Sequence, residues 1–145
     1  MRNKKVKKGL VPTTSKQPRI ATTIKSSMDQ NPVWHIGTLD IEGSWGWKDI
    51  EKKLFFSEIL LKIKNFENMF WKEILGRGSH EVLVADINTN AQKRLALLNL
   101  DDTEKLVSLR LTGRQRIWGI RVANILRILW WDPNHEVYSS KLKHT

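Results

Sequence analysis

Hydrophobic positions along this chain fall into three rhythms. Between Val33 and Ile41, the residues Trp34, Ile36, Leu39 and Ile41 recur among β-branched and polar neighbours, an imperfect alternation that predicts a first strand. Between Asp49 and Leu75 the step lengthens to three and four. Ile50, Leu54, Phe55, Ile59, Ile63, Phe66, Phe70 and Ile74 line one face there, with Lys and Glu on the other. That pattern predicts a helix covering one face of a sheet and closed by Gly76-Arg77-Gly78, or a helical pair if the chain breaks near Ser57. Glu81–Ala85 predicts a short strand, and Asn88-Thr89-Asn90 offers caps to a second helix over Ala91–Leu98, with Leu95 and Leu98 inward.

From Leu106 the rhythm is β to nearly the end. Leu106–Leu111, Arg116–Val122 and Ile125–Trp131 predict three strands, separated by a turn at Thr112-Gly113 and a two-residue hairpin at Ala123-Asn124. Asp132-Pro133-Asn134 ends the last strand, and His135–Tyr138 continues it before a polar tail. The expected fold class is therefore α+β: an antiparallel sheet with one or two N-terminal helices packed on one face. Consecutive indoles on a strand face opposite sides, so Trp118 and at least one of Trp130 and Trp131 are expected to be buried.

Charge divides the chain further. Residues 1–30 hold eight Lys and Arg against one acid, while the remaining 115 residues hold seventeen against fourteen, so most of the net +10 sits at the N-terminus. That segment has no aromatic residue and is rich in Ser, Thr and Pro, too little apolar area to offset the entropy of ordering. It reads as a flexible basic arm over 1–30, dispensable for folding up to Met28, ahead of a single domain over 31–140 and a polar tail over 141–145. The arm either adds phosphate contacts, or is a solubilising tail, or is the residue of a misassigned start codon, given Met28 just before the globular part. A chain of 145 residues is too short for two full-sized cores. No apolar run approaches the ~20 residues a membrane span needs. The absence of cysteine excludes disulfides and thiolate chemistry and fits a reducing cytoplasm. Seven tryptophans are an excess, and the Trp45-Gly46-Trp47 pair is either a plug at the edge of a core or a stacking platform for bases.

Most familiar chemistries are missing. Gly76-Arg77-Gly78 lacks the spacing and the Lys-Ser/Thr of a phosphate-cradling loop, and no Ser-His-Asp order stands out. A metal site would need Asp40, Glu42, Asp86, Asp132 or His135 to converge, and the proline between Asp132 and His135 makes their spacing a weak ligand signal. More suggestive are Arg110, Arg114, Arg116, Arg121 and Arg127, five guanidiniums within 18 residues that can fork phosphate oxygens. Strand parity sets Arg116 with Trp118 and Ile120 but Arg121 with Ile117, so the five cannot line one site. His135 and Tyr138, the one His–Tyr pair close in sequence, add a group that moves protons near neutral pH and a phenol that donates or stacks. Solvent-facing strand arginines, a turn histidine and a packed tyrosine are the bland alternative for each.

The order strand, helices, then three antiparallel strands, with Leu106-Val107-Ser108-Leu109-Arg110-Leu111, Arg116-Ile117-Trp118-Gly119-Ile120-Arg121 and Ile125-Leu126-Arg127-Ile128-Leu129-Trp130, resembles the RelE/ParE-like superfamily of bacterial toxins. The likeness spans about Val33–Tyr138 and is one of pattern. The stretch Trp130–Tyr138 also resembles the W-W/L-D-P-x-H-x-x-Y ending of some small bacterial proteins of uncharacterised function. The basic arm, the Trp-Gly-Trp element and the Asp-Pro turn depart from the superfamily. The resemblance implies the toxin of a toxin–antitoxin system, a metal-independent endoribonuclease of the cytoplasm acting on mRNA. RNA or the ribosome would be its target and an acidic or amphipathic antitoxin its partner, with no cofactor. Carried onto this chain, Arg110 and Arg116 become phosphate clamps, His135 the acid or base and Tyr138 the orienting or stacking group. Arg114, Arg121, Lys141 and Lys143 become further nucleic-acid contacts. The gyrase-poisoning branch needs no nuclease site. A non-catalytic nucleic-acid-binding, gyrase-targeting or protein-interaction module, the last burying indoles in a partner, is therefore the alternative.

Overall fold

The computed structural model describes residues 26–139. Five strands form one sheet: β1 (Val33–His35), β2 (His80–Leu83), β3 (Lys105–Arg110), β4 (Arg116–Val122) and β5 (Ile125–Asp132), in the order β1-β5-β4-β3-β2. The fold class is α+β. Strands β2 to β5 pair antiparallel, and β1 adds to the β5 edge in parallel, from Val33 beside Ile125 to His35 beside Arg127. The hairpin between β4 and β5 turns at Ala123-Asn124 as expected, with Ala123 at a left-handed φ of 56°. Asn124 ties this turn to the rest of the molecule. Its carbonyl accepts from Val33 N at 3.0 Å and Trp71 Nε1 at 2.9 Å, and its Nδ2 donates to Asn31 O.

The helical region breaks at a place the periodicity does not reveal. Helix α1 runs without interruption through an α-helical turn Lys52–Leu54, a π-helical segment Phe55–Ile59 and an α-helix Leu60–Glu67. The chain then turns at Asn68-Met69-Phe70 and resumes as the short α2 (Trp71–Ile74). The break is satisfied locally, because Glu73 Oε1 accepts from Phe70 N at 2.9 Å and Gln30 O accepts from Trp71 N at 3.0 Å. The three-to-four spacing of Phe66, Phe70 and Ile74 passes straight through it. Helix α3 (Thr89–Leu97) starts on Asn88, whose Oδ1 caps Ala91 N at 2.7 Å.

Strand alternation separates two cores. One face of the sheet buries Val107, Leu109, Ile117, Leu126, Ile128 and Trp131 under Ile59 of α1 and Trp71 and Ile74 of α2. The other buries Leu106, Trp118, Ile120, Leu129 and Trp130 under Ala91 and Leu95 of α3, with Trp45 and Val137 at its edge. The N-terminal helices thus lie on one face as expected, and α3 closes the opposite one. Trp118 and Trp130 are fully buried and Trp131 nearly so. A bulge makes this possible: Trp118 faces Trp130 across the β4–β5 ladder but Gly119 faces Ile128, so Leu129 is unpaired and joins Trp130 on the α3 face. Gly119 is required there, because a Cβ would stand 2.7 Å from Arg127 O.

The first strand is shorter than its hydrophobic pattern, ending at His35. Beyond it the loop follows the β5 edge: Ile128 O accepts from Thr38 Oγ1, Leu129 O accepts from Asp40 N, and Trp45 O accepts from Trp131 N. Trp45 stacks at 5.4 Å from Trp130 on one face and Trp47 lies 6.1 Å from Trp131 on the other. The Trp-Gly-Trp element is therefore a plug straddling the sheet edge and not a platform for bases. Five of the seven indoles are buried in the two cores, and Trp34 and Trp47 pack half-buried against the core under α1 and α2. Residues 1–25, most of the expected arm, lie outside the described residues, as do Lys141 and Lys143 of the tail. Residues 26–30 belong with the domain. Asp29 pairs with Lys72 at 2.8 Å, Ser27 Oγ accepts from Arg121 Nη1 at 3.2 Å, and Met28 packs on the α2 face.

Candidate active site

The sheet brings most of the chemically capable residues to one end. Strands β3 and β5 finish there and β2 and β4 begin. Pairing places Arg110 opposite Arg116 and Arg116 opposite Asp132, all on the α3 face. The adjoining row runs His80, Ser108, Trp118, Trp130. Two guanidiniums on neighbouring strands thus sit beside the buried Trp118 and below the chain that leaves β5.

Asp132 shapes that chain. It is fully buried, and its carboxylate accepts three N–H groups: Trp118 Nε1 at 3.0 Å and Val137 N at 3.0 Å on Oδ2, and Glu136 N at 2.8 Å on Oδ1. Residues 136 and 137 are clamped further by Asn88, whose Nδ2 donates to Glu136 O at 2.7 Å and whose N donates to Val137 O at 2.9 Å. The segment expected to prolong β5 is instead a turn folded back over the sheet end, because Asp132 offers its amides a better partner than an edge strand. His135 stands within this turn at a φ of 58°, a left-handed conformation costing an L-residue about 1–2 kcal/mol. The four hydrogen bonds on Glu136 and Val137 hold it there.

The electrostatics are those of a cationic site containing a neutral base. Burial lowers the pKa of His135 below the ordinary 6.5. Arg116, His80 and Arg110 lower it further, against the opposing pull of Asp132, so the imidazole is uncharged at pH 7. Arg116 is buried, with Nη1 donating to Thr112 O at 2.8 Å and Gln115 O at 3.0 Å, while its Nε has no acceptor. Burial and then Arg110 lower its pKa, against Asp132, from a value high enough to keep it a cation. Arg110 is exposed. Its backbone N–H is held by Ser79 Oγ at 2.9 Å and its Nε donates to Thr112 O at 3.3 Å. Gly78, at a φ of 91°, makes room for it, since a Cβ there would meet Arg110 Cδ at 3.0 Å. Tyr138 is half-buried, its ring edge-on to His80 with centroids 6.4 Å apart.

Arg110, Arg116, His135 and Tyr138 therefore converge, and Arg114 lies exposed in the β3–β4 turn at the same end. Arg121 does not join them. It projects from the opposite face, donates to Ser27 Oγ and Ala123 O, reaches Glu81 Oε2 at 3.5 Å and lies 5.5 Å over the Trp71 ring. It ties the N-terminal segment and β2 to the α2 face, apart from the other expected nucleic-acid contacts. The sequence reading also missed His80, because nothing local links the start of a four-residue strand to a turn 55 residues later. Of the metal candidates, Asp132 is saturated by N–H donors. Asp40 is too: Arg94 Nε and Nη2, Trp130 Nε1 and Gly43 N all donate to it. Among the described residues no three His, Asp or Glu side chains gather at ligating distance, and no helix is long and apolar enough to cross a membrane. Compared with known proteins, the chain matches no family model, no curated protein and no solved structure.

Proposed function

We propose that this protein is a metal-independent endoribonuclease of RelE-like type, the toxin of a bacterial toxin–antitoxin pair, acting in the cytoplasm on mRNA. One observation carries the reading. Arg110, Arg116, His135 and Tyr138, drawn from β3, β4 and the turn after β5, share one end of one sheet face. The reaction needs a base to take the 2′-OH proton, cations to stabilise the charge building on phosphorus, and an acid for the departing 5′-oxygen. A neutral His135 beside two guanidiniums supplies the first two. Arg110, exposed at the sheet end, engages the phosphate first. Arg116, buried beside it, adds a second positive charge to stabilise the phosphorane. Tyr138 orients or stacks on a flanking base.

The test is cleavage of mRNA on programmed ribosomes, with and without EDTA, beside growth on expression of the protein alone. Wild type should cut and slow growth, EDTA should leave the rate unchanged, and His135→Ala should lower it by about 10²–10⁴ while melting like wild type. Fully active His135→Ala, or a wild type that neither cuts nor slows growth, rejects the reading. A wild type that binds RNA without cutting it makes the surface a non-catalytic nucleic-acid-binding module.

A further inference from the structure

His135 and the arginines leave one requirement of transphosphorylation unfilled, the proton for the 5′-oxygen. Strand order shows what stands opposite. Reading across the sheet end, Asp132, which anchors the His135 turn, is on β5, Arg116 on β4, Arg110 on β3 and His80 on β2. The anchor of the His135 turn and His80 therefore stand on opposite flanks of the guanidinium pair. An in-line displacement needs that disposition, since the attacking 2′-oxygen and the leaving 5′-oxygen lie on opposite sides of phosphorus. His80 is exposed, free to meet a substrate, and its ring is held edge-on by Tyr138 at 6.4 Å. Below it Ser108, its cross-strand neighbour, is buried with an unpartnered Oγ, a spare polar group in the floor of the site. The charged and titratable groups acting on His135 are Arg116, Asp132, His80 and Arg110, and Asp132 is the one carboxylate among them.

We infer that His80 is the general acid of this site, giving its proton to the leaving 5′-oxygen while His135 takes the 2′-OH proton, an assignment that rests on the nuclease reading. The 2′-oxygen–phosphorus bond forms and the phosphorus–5′-oxygen bond breaks. The products are a 2′,3′-cyclic phosphate and a 5′-hydroxyl, with no water consumed.

The experiment uses ribosome-programmed mRNA carrying either an ordinary phosphodiester or a 5′-bridging phosphorothiolate at the cut position. A thiolate leaves without a proton, so only the acid becomes unnecessary. His80→Ala and His80→Gln should cut the ordinary RNA about 10²–10⁴-fold more slowly and cut the phosphorothiolate within a few-fold of wild type. His135→Ala should stay slow on both substrates. His80 variants that cut ordinary RNA at the wild-type rate overturn the inference, and so do variants slowed equally on both substrates, which would make His80 a positioning residue. In either case the wild type still cuts. A wild type that cuts neither substrate removes the nuclease reading itself.

Discussion

Replacing Asp132 by Asn changes one atom and tests whether the site is positioned by the core. In the native protein Oδ2 accepts from Trp118 Nε1 and Val137 N, and Oδ1 accepts from Glu136 N. An asparagine can turn its carbonyl oxygen toward Trp118 and Val137, but its amide then confronts the Glu136 N–H, donor against donor. One charge-assisted bond, worth about 1.5–3 kcal/mol, is lost, and the two that remain become neutral and weaker. The sum is about 2–4 kcal/mol, within the ~5–15 kcal/mol stability of a domain this size, so the variant should fold and melt roughly 10 °C lower. Because the released amides are those that hold His135 at its left-handed φ, the proposed cleavage should fall at temperatures where the protein is still folded. Urea unfolding followed by tryptophan emission gives the stability, and the ribosome cleavage assay gives the rate. A variant within about 0.5 kcal/mol of wild type would show that the three bonds are worth little. One that is destabilised but cuts at full rate would show that Asp132 supports Trp118 alone and does not place His135.

Two further outcomes follow from the structure. Burial by itself would raise the pKa of Asp40, but the bonds from Arg94, Trp130 and Gly43 outweigh it and hold the carboxyl below the ordinary 3.8. The unfolded chain therefore binds the proton first, so the stability contributed by Asp40 is complete above about pH 4 and is lost as pH falls through the lowered folded value. Asp40→Asn should be less stable at pH 7 and should lose less on acidification in urea titrations at pH 2–6; parallel curves would refute the assignment. A chain starting at Asn31 should melt several degrees below one starting at Ser26. It lacks Gln30 O as acceptor for Trp71 N and loses the Met28 packing, together worth about 2 kcal/mol. Equal midpoints by calorimetry would return residues 26–30 to the dispensable arm.

Much of this protein is legible along the chain because it depends on neighbours in sequence. The spans of β3, β4 and β5, the cap and inward face of α3, and the turn at Ala123-Asn124 all follow from alternation, periodicity and turn chemistry within a dozen residues. So does the division of Arg116 and Arg121 between faces, which parity alone settles. What the sequence leaves open depends on residues far apart. The α1–α2 break hides because Gln30 and Glu73 satisfy it without a glycine or proline. The parallel edge pairing of β1 depends on Asn124 receiving Val33, 91 residues away. Whether Trp45 and Trp47 stack on bases or plug a core is decided by a loop pairing with the β5 edge. His80 joins the site only through the β2–β3 register and the turn folded over it. That turn departs from the strand pattern of His135–Tyr138 because Asp132 is buried and accepts no hydrogen bond from the neighbouring Arg116, so its oxygens are satisfied by Trp118 Nε1 and by the amides of Glu136 and Val137.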